Sequence, residues 1–259
     1  KKHDKYFLRF TYAEEVSLNR TPVKEQTICS VDLGINTDAV CTIMRPDGTI
    51  LERKFINFPS DKDRMYRVLG RIRRFQREHG SRQAQGRWAY AKRLNTELGR
   101  KIAREIVLYA SEKKADVIVF EYLEMKGKLS GKKKQKLQMW RKRDIQKRCG
   151  QQAHRKGIRI SRICAWNTSR LAFDGSGKID RDIQDHRLCT FQNGKRYNCD
   201  LSASYNIGAR YFIREILKPL PATERSLLEA KVPAVKRRTS CVYADLRDLI
   251  SEMELQKAA

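Results

Sequence analysis

Cys29–Asn36 reads CSVDLGIN. In an extended chain the side chains alternate, so Ser30, Asp32 and Gly34 share one face. Cys29, Val31, Leu33 and Ile35 share the other. A carboxylate in such an apolar or small run is costly unless a cation or hydrogen-bond donors meet it. The small neighbours leave room above it. Asp32 is therefore either one wall of a cation site or an edge-strand residue facing water, and this stretch alone leaves both readings open.

Working outward, residues 28–35 form the opening strand and Asp38–Met44 a second. Pro46-Asp47-Gly48-Thr49 is a strong turn signal, and Ile50–Asn57 supplies a third strand. Strands joined this tightly make an antiparallel meander. Upstream, Tyr6–Tyr12 (YFLRFTY) is rich in aromatic residues and reads as a further strand. Downstream of Pro59 the period changes. Met65, Val68, Leu69, Ile72 and Phe75 recur at helical spacing, and so do Trp88, Ala91, Leu94, Leu98, Ile102 and Ile106 after the break His79–Gly86. The opposite faces carry Arg67, Arg71, Arg74, Arg87, Lys92, Arg93, Arg100 and Arg104. A solvated helix pair accounts for them, and so does a surface that tracks nucleic-acid phosphates.

Asp116–Glu121 (DVIVFE) is a short buried strand. The long helix before it makes it parallel to the first strand. Glu121 ends it on the face of Val117 and Val119, and ligand sites in open α/β sheets gather at the carboxyl ends of strands. From Lys126 to Arg148 the chain is intensely basic, with Lys132, Lys133, Lys134, Arg141 and Arg143 in the run. Gly127, Ser130 and Gly131 mark a loop. Leu137, Trp140, Ile145 and Cys149 then mark a helix that Gly157 stops. Trp88 and Trp140 lie on apolar stripes and are expected in the core rather than stacked on a base. Ile158–Cys164 alternates as a fifth strand. Asn167–Asn198 is glycine-rich and polar and reads as a hairpin-like insertion. Cys199–Leu217 returns to helix, with Leu201, Tyr205, Gly208, Phe212 and Ile216 as one stripe. Asp200 stands at its start, where Asp is also a preferred N-cap. Residues 218–259 hold two amphipathic helices around a basic linker.

The 259 residues carry 56 Lys and Arg against 30 Asp and Glu, a net charge of +26. That surplus is too large for an enzyme of neutral small molecules and points to a polyanion, with nucleic acid the default. Hydrophobic residues at 40% rule out a disordered chain. No apolar run approaches the roughly 20 residues of a spanning helix, and no signal-peptide pattern opens the chain. The seven cysteines are odd in number, scattered and without a CxxC pair. That usage fits a reduced cytoplasmic protein. The chain begins at Lys1 rather than Met, as a fragment or processed product would.

Meander, helix, strand, helix, strand, helix is the RNase H succession, an α/β fold with a mixed five-stranded sheet flanked by helices. Pairing the first and fourth strands brings Asp32 and Glu121 together, and a helix across the opening adds Asp200. Such carboxylates hold two Mg²⁺ (or Mn²⁺) ions about 4 Å apart for phosphodiester hydrolysis. VDLGIN, VIVFEYL and NCDLSASYNIGARYF resemble the three motifs of the RuvC-like domain of the TnpB family. These are transposon-encoded, RNA-guided DNA nucleases of prokaryotes, related to the type V CRISPR effectors. The resemblance runs from about residue 28 to residue 213 and includes the basic helix pair. It implies catalytic, metal-holding roles for Asp32, Glu121 and Asp200, and a supporting role for Asn206. It also implies a guide RNA and a target DNA as partners. Residues 1–27 would be the end of a wedge-like region and 28–217 the nuclease domain, with its insertion at 167–198. Residues 218–259 would be a helical tail.

Two departures stand out. The family's zinc ribbon would place its ligands at Ala172, Gly175, Thr190 and Asn193, and none of them is a cysteine. Zinc is therefore not expected, although a site built from Cys164, His186, Cys189 and Cys199 is conceivable. Only 27 residues precede the first motif, too few for the whole wedge and recognition region. The leading expectation is an RNA-guided DNA endonuclease with a two-metal site. The alternatives are a nuclease-inactive RNA-guided DNA-binding protein, which would be expected to have lost one of the acids, and another RNase H-fold enzyme such as a resolvase or transposase.

Overall fold

The computed structural model describes residues 6, 8, 10–80, 82–122, 142–237 and 239–258. Strands β1 (Ile28–Asp32), β2 (Ala39–Met44) and β3 (Ile50–Ile56) form the antiparallel meander. The turn between β2 and β3 closes through the Thr49 amide on Asp47 Oδ1 at 2.8 Å. Gly48 there has φ 83°, a conformation that favours glycine. Helices α1 (Pro59–His79) and α2 (Gln85–Glu112) follow, then β4 (Val117–Tyr122). Helix α3 (Lys142–His154) leads to β5 (Arg159–Cys164). β4 runs parallel to both β1 and β5, as the helical crossovers require, and the sheet order is β3-β2-β1-β4-β5.

The period-2 alternation sends the residues of the central strands into two cores. Cys29, Val31, Cys41, Ile43, Ile118 and Phe120 pack against α2 and α3. Ile28, Val40, Met44, Val117 and Val119 face α4 (Cys199–Leu217). A single buried side chain of this size stabilises by about 1.5–3 kcal/mol, so each face holds its helices firmly. α4 is buried on every side rather than along one stripe: residues 201–213 are all buried. Helices α5 (Ala222–Lys231) and α6 (Tyr243–Ala258) cover its outer face with Leu228, Leu246 and Leu249. On its inner face Gly208 permits close approach, since a Cβ there would meet Met44 Sδ at 3.0 Å and Ser30 Oγ at 3.2 Å. The hydroxyls of Thr42 and Ser204 join helix to sheet at 2.6 Å.

Helices α1 and α2 also share a small core of their own, Ile72, Ala84 and Ala91 with Trp88 and Phe75 against it. The insertion is richer than a hairpin. β6 (Asp180–Arg181), β7 (Leu188–Thr190) and β8 (Arg196–Asn198) form a second, antiparallel sheet. Its centre is aromatic: the Phe173 ring lies 5.6 Å from Phe191, 5.0 Å from Tyr197, 5.2 Å from Tyr205 and 6.0 Å from Tyr243. Cys164 is exposed, whereas Cys189 and Cys199 are buried side by side.

The strand expected at Tyr6–Tyr12 does not form at its described residues. Tyr6, Leu8, Phe10 and Tyr12 are 74–89% exposed. β-propensity reflects the fit of a side chain to a half-buried sheet surface, and no strand of either sheet pairs with these residues. Tyr12 instead accepts a hydrogen bond from Arg155 Nη2 at 2.6 Å, just beyond α3.

Candidate active site

Asp32 is the last residue of β1 and Glu121 the last but one of β4. Val31 pairs with Phe120, so Asp32 and Glu121 stand one step further along, side by side at the carboxyl ends of parallel strands. Both are buried, at 8% and 6% exposure. Gly34 makes the chain turn tightly after Asp32, since a Cβ on it would meet the Thr37 carbonyl oxygen at 2.5 Å. The turn returns Thr37, whose hydroxyl bonds the half-buried Asp200 in the first turn of α4. The N-cap of α4 is Asn198, whose Oδ1 accepts the Leu201 amide at 2.9 Å. Asp200 is thus not the N-cap.

The electrostatics tie the three acids together. Burial pushes the Asp32 carboxyl well above its ordinary range, and the charges of Glu121 and Asp200 push it further. Lys142 and Arg181 pull it down in part. Burial likewise raises Asp200, against the Thr37 hydroxyl, Arg181 and Arg187. Asp32 is the member that feels both others.

Glu121 is gripped. Its Oε2 accepts from Lys142 Nζ at 2.9 Å, and its Oε1 accepts from the Thr168 hydroxyl. Gln146 Nε2 donates to its backbone carbonyl at 2.9 Å. Asn206 acts as a bracket behind this arrangement. Its Nδ2 donates to the carbonyls of Thr168 at 3.0 Å and Leu171 at 2.9 Å, while its Oδ1 accepts the Tyr243 amide at 3.0 Å. The Asn that the sequence singled out therefore braces the loop that carries Thr168. Buried Arg210 fixes the same loop, donating to the carbonyls of Cys164 at 2.9 Å and Trp166 at 2.6 Å.

In kind, the donor set suits a hard divalent cation: carboxylate oxygens from two strand ends and one helix start. Asp32, buried among like charges, accepts no hydrogen bond from any described residue. In arrangement the fit is incomplete. Among the described residues no three His, Cys, Asp or Glu side chains converge closely enough to share one ion. The carboxylate of Glu121 is turned to Lys142 and Thr168 instead.

Of the basic residues, Arg71, Arg74, Arg87, Lys92 and Arg143 are exposed. Arg71, Arg74 and Lys92 have no acidic partner among the described residues, whereas Arg87 stacks 4.0 Å over the Phe75 ring. Lys132, Lys133, Lys134, Arg141 and Trp140 lie outside the described residues. Lys142, Thr168, Thr37 and Arg181 escaped the sequence reading. Lys142 sits in a run of lysines and arginines that gives no sign of which one turns inward. Thr168 and Arg181 reach the acids only through the folded insertion.

No family model matches the chain, and no curated protein matches it in sequence. Among solved structures, it resembles the protein of a Cas12f1–sgRNA–target DNA complex with a TM-score of 0.55 at 20% identity, over 70% of this chain and 49% of that one. It resembles the protein of a CRISPR-Cas12f ternary complex with a TM-score of 0.54 at 17% identity, over 76% of this chain and 40% of that one. At such identities the likeness is one of fold. The chain spans less than half the length of either neighbour. No helix among the described residues is long and apolar enough to cross a membrane.

Proposed function

We propose that this chain is the nuclease part of an RNA-guided DNA endonuclease, of RNase H-like (RuvC) fold and akin to TnpB and the type V CRISPR effectors. The observation that carries the reading is Asp32. It is buried at the end of the central strand, without a hydrogen bond from any described residue, and lies where the charges of Glu121 and Asp200 both reach it. A fold shared with proteins solved on guide RNA and target DNA supports the same reading, as does the charge of +26.

Asp32, Glu121 and Asp200 would hold two Mg²⁺ or Mn²⁺ ions. When bound, these supply Lewis acidity toward water and toward the phosphate oxygens. The chain's own residues do the rest. Asp32, on which the charges of both other acids act, would be the shared ligand. Thr168 and Asn206 orient Glu121, and Thr37 orients Asp200. Arg71, Arg74, Arg87, Lys92 and Arg143, with the lysines at 132–134 and Arg141, hold the sugar–phosphate backbone whatever its sequence. Sequence choice falls to base pairing with the guide. Zinc has no part in this scheme, because the positions where the family's ribbon carries its ligands are Ala172, Gly175, Thr190 and Asn193 here.

The test is cleavage of end-labelled DNA in Mg²⁺ or Mn²⁺ by the protein with the RNA that co-purifies with it. The wild type is expected to cut. Asp32→Ala is expected to bind nucleic acid and leave it whole, and full cleavage by this variant overturns the assignment.

A further inference from the structure

We propose that Lys142 is a resident counter-ion, whose ammonium holds the cation's place beside Glu121 in the metal-free protein and withdraws when a divalent ion binds. This rests on the three-acid reading above and explains why the acids do not already form a cage. Lys142 Nζ lies 2.9 Å from Glu121 Oε2, and both side chains are less than 9% exposed. The same ammonium acts on Asp32. A buried carboxylate needs a partner, and here a lysine provides the partner from within the chain. At 7% exposure Lys142 reaches no phosphate in this arrangement, unlike its exposed neighbour Arg143.

The lysine is delivered accurately and can leave. Gln146, one turn along α3, donates to the Glu121 carbonyl and accepts from Arg162 Nε at 3.2 Å. That link fixes the helix against the end of β4. Lys142 itself is the first described residue of α3 and carries a compact charge on a flexible four-carbon stem. Its withdrawal would free Glu121 Oε2 from the 2.9 Å contact and leave that oxygen for the ion. Ammonium and divalent ion thus compete for one carboxylate, and removing the ammonium tightens the binding of the ion.

The test measures Mn²⁺ affinity of the full chain by the EPR signal of free Mn²⁺, so that it does not depend on cleavage. Lys142→Met is expected to bind Mn²⁺ more tightly, on the order of tenfold or more. Lys142→Arg, which keeps the charge, is expected to gain nothing. Asp32→Asn should remove the site in either background. If Asp32→Asn abolishes binding but Lys142→Met binds no tighter than wild type, the counter-ion is refuted and the three-acid site survives. If the wild type shows no Asp32-dependent Mn²⁺ binding, both fall. Should Lys142→Met not fold, reductive methylation of the wild type decides the matter. Lys142 is expected to be protected in EDTA and modified in saturating Mg²⁺, and equal protection in both overturns the proposal.

Discussion

Asn198 caps α4 and Asp200 does not, which separates two roles that the sequence had left on one residue. Asn198→Ala should cost about 1 kcal/mol of stability. Asp200→Asn should keep the melting temperature and lose divalent-dependent cleavage by orders of magnitude, because an amide lacks the charge that a metal ligand supplies. Melting curves and cleavage rates of the two variants check this, and wild-type cleavage by Asp200→Asn would reduce the site to two acids. Asp32 gives a second expectation. Its carboxyl keeps a proton in the folded protein above its ordinary value of 3.8, where the unfolded chain has already released it. The folded state then binds more protons, so metal-free stability falls as pH rises from about 3.8 through the raised value. Asp32→Asn should lose this decline and be the more stable form at neutral pH in EDTA. Urea midpoints across that range measure it, and parallel curves for the two proteins would contradict it. The three acids were legible because each interrupts an apolar or small-residue pattern. Lys142 was not, because one inward lysine among many outward ones leaves no local trace.

The meander, both parallel strands and α4 were legible as elements, since period and turn chemistry are local properties. What escaped depends on distant chain. The apolar stripe of α4 is continuous around the helix because α5 and α6 fold back over it, and no window of 20 residues contains that fact. Tyr6–Tyr12 has strand composition, but its described residues pair with no strand. The insertion closes on Phe173 and its aromatic neighbours, two of which, Tyr205 and Tyr243, come from α4 and α6. On α1 and α2 the exposed arginines offer an expectation at this scale. Replacing Arg71, Arg74 and Lys92 by Ala should flatten the log–log salt dependence of DNA binding by about one unit for each phosphate no longer neutralised, alike for every sequence. Filter binding over a salt series checks it. An unchanged slope would make this face a solvated one.

At the scale of the molecule, a strongly basic chain surrounds a small acidic centre, where β1, β4 and α4 converge. On the proposed reading, the excess charge on the outer faces would draw a polyanion in, and the buried carboxylates would repel it until cations intervene. On that reading binding and chemistry fall to different residues, so each should be removable without the other. It also makes cation binding at the acids the step on which the whole account turns. The most direct measurement is anomalous diffraction at the manganese edge from crystals of the chain grown in Mn²⁺. The expected result is anomalous density within coordination distance, about 2.0–2.3 Å, of the carboxylates of Asp32, Glu121 and Asp200. Manganese found only elsewhere, with Glu121 still paired to Lys142, would contradict it.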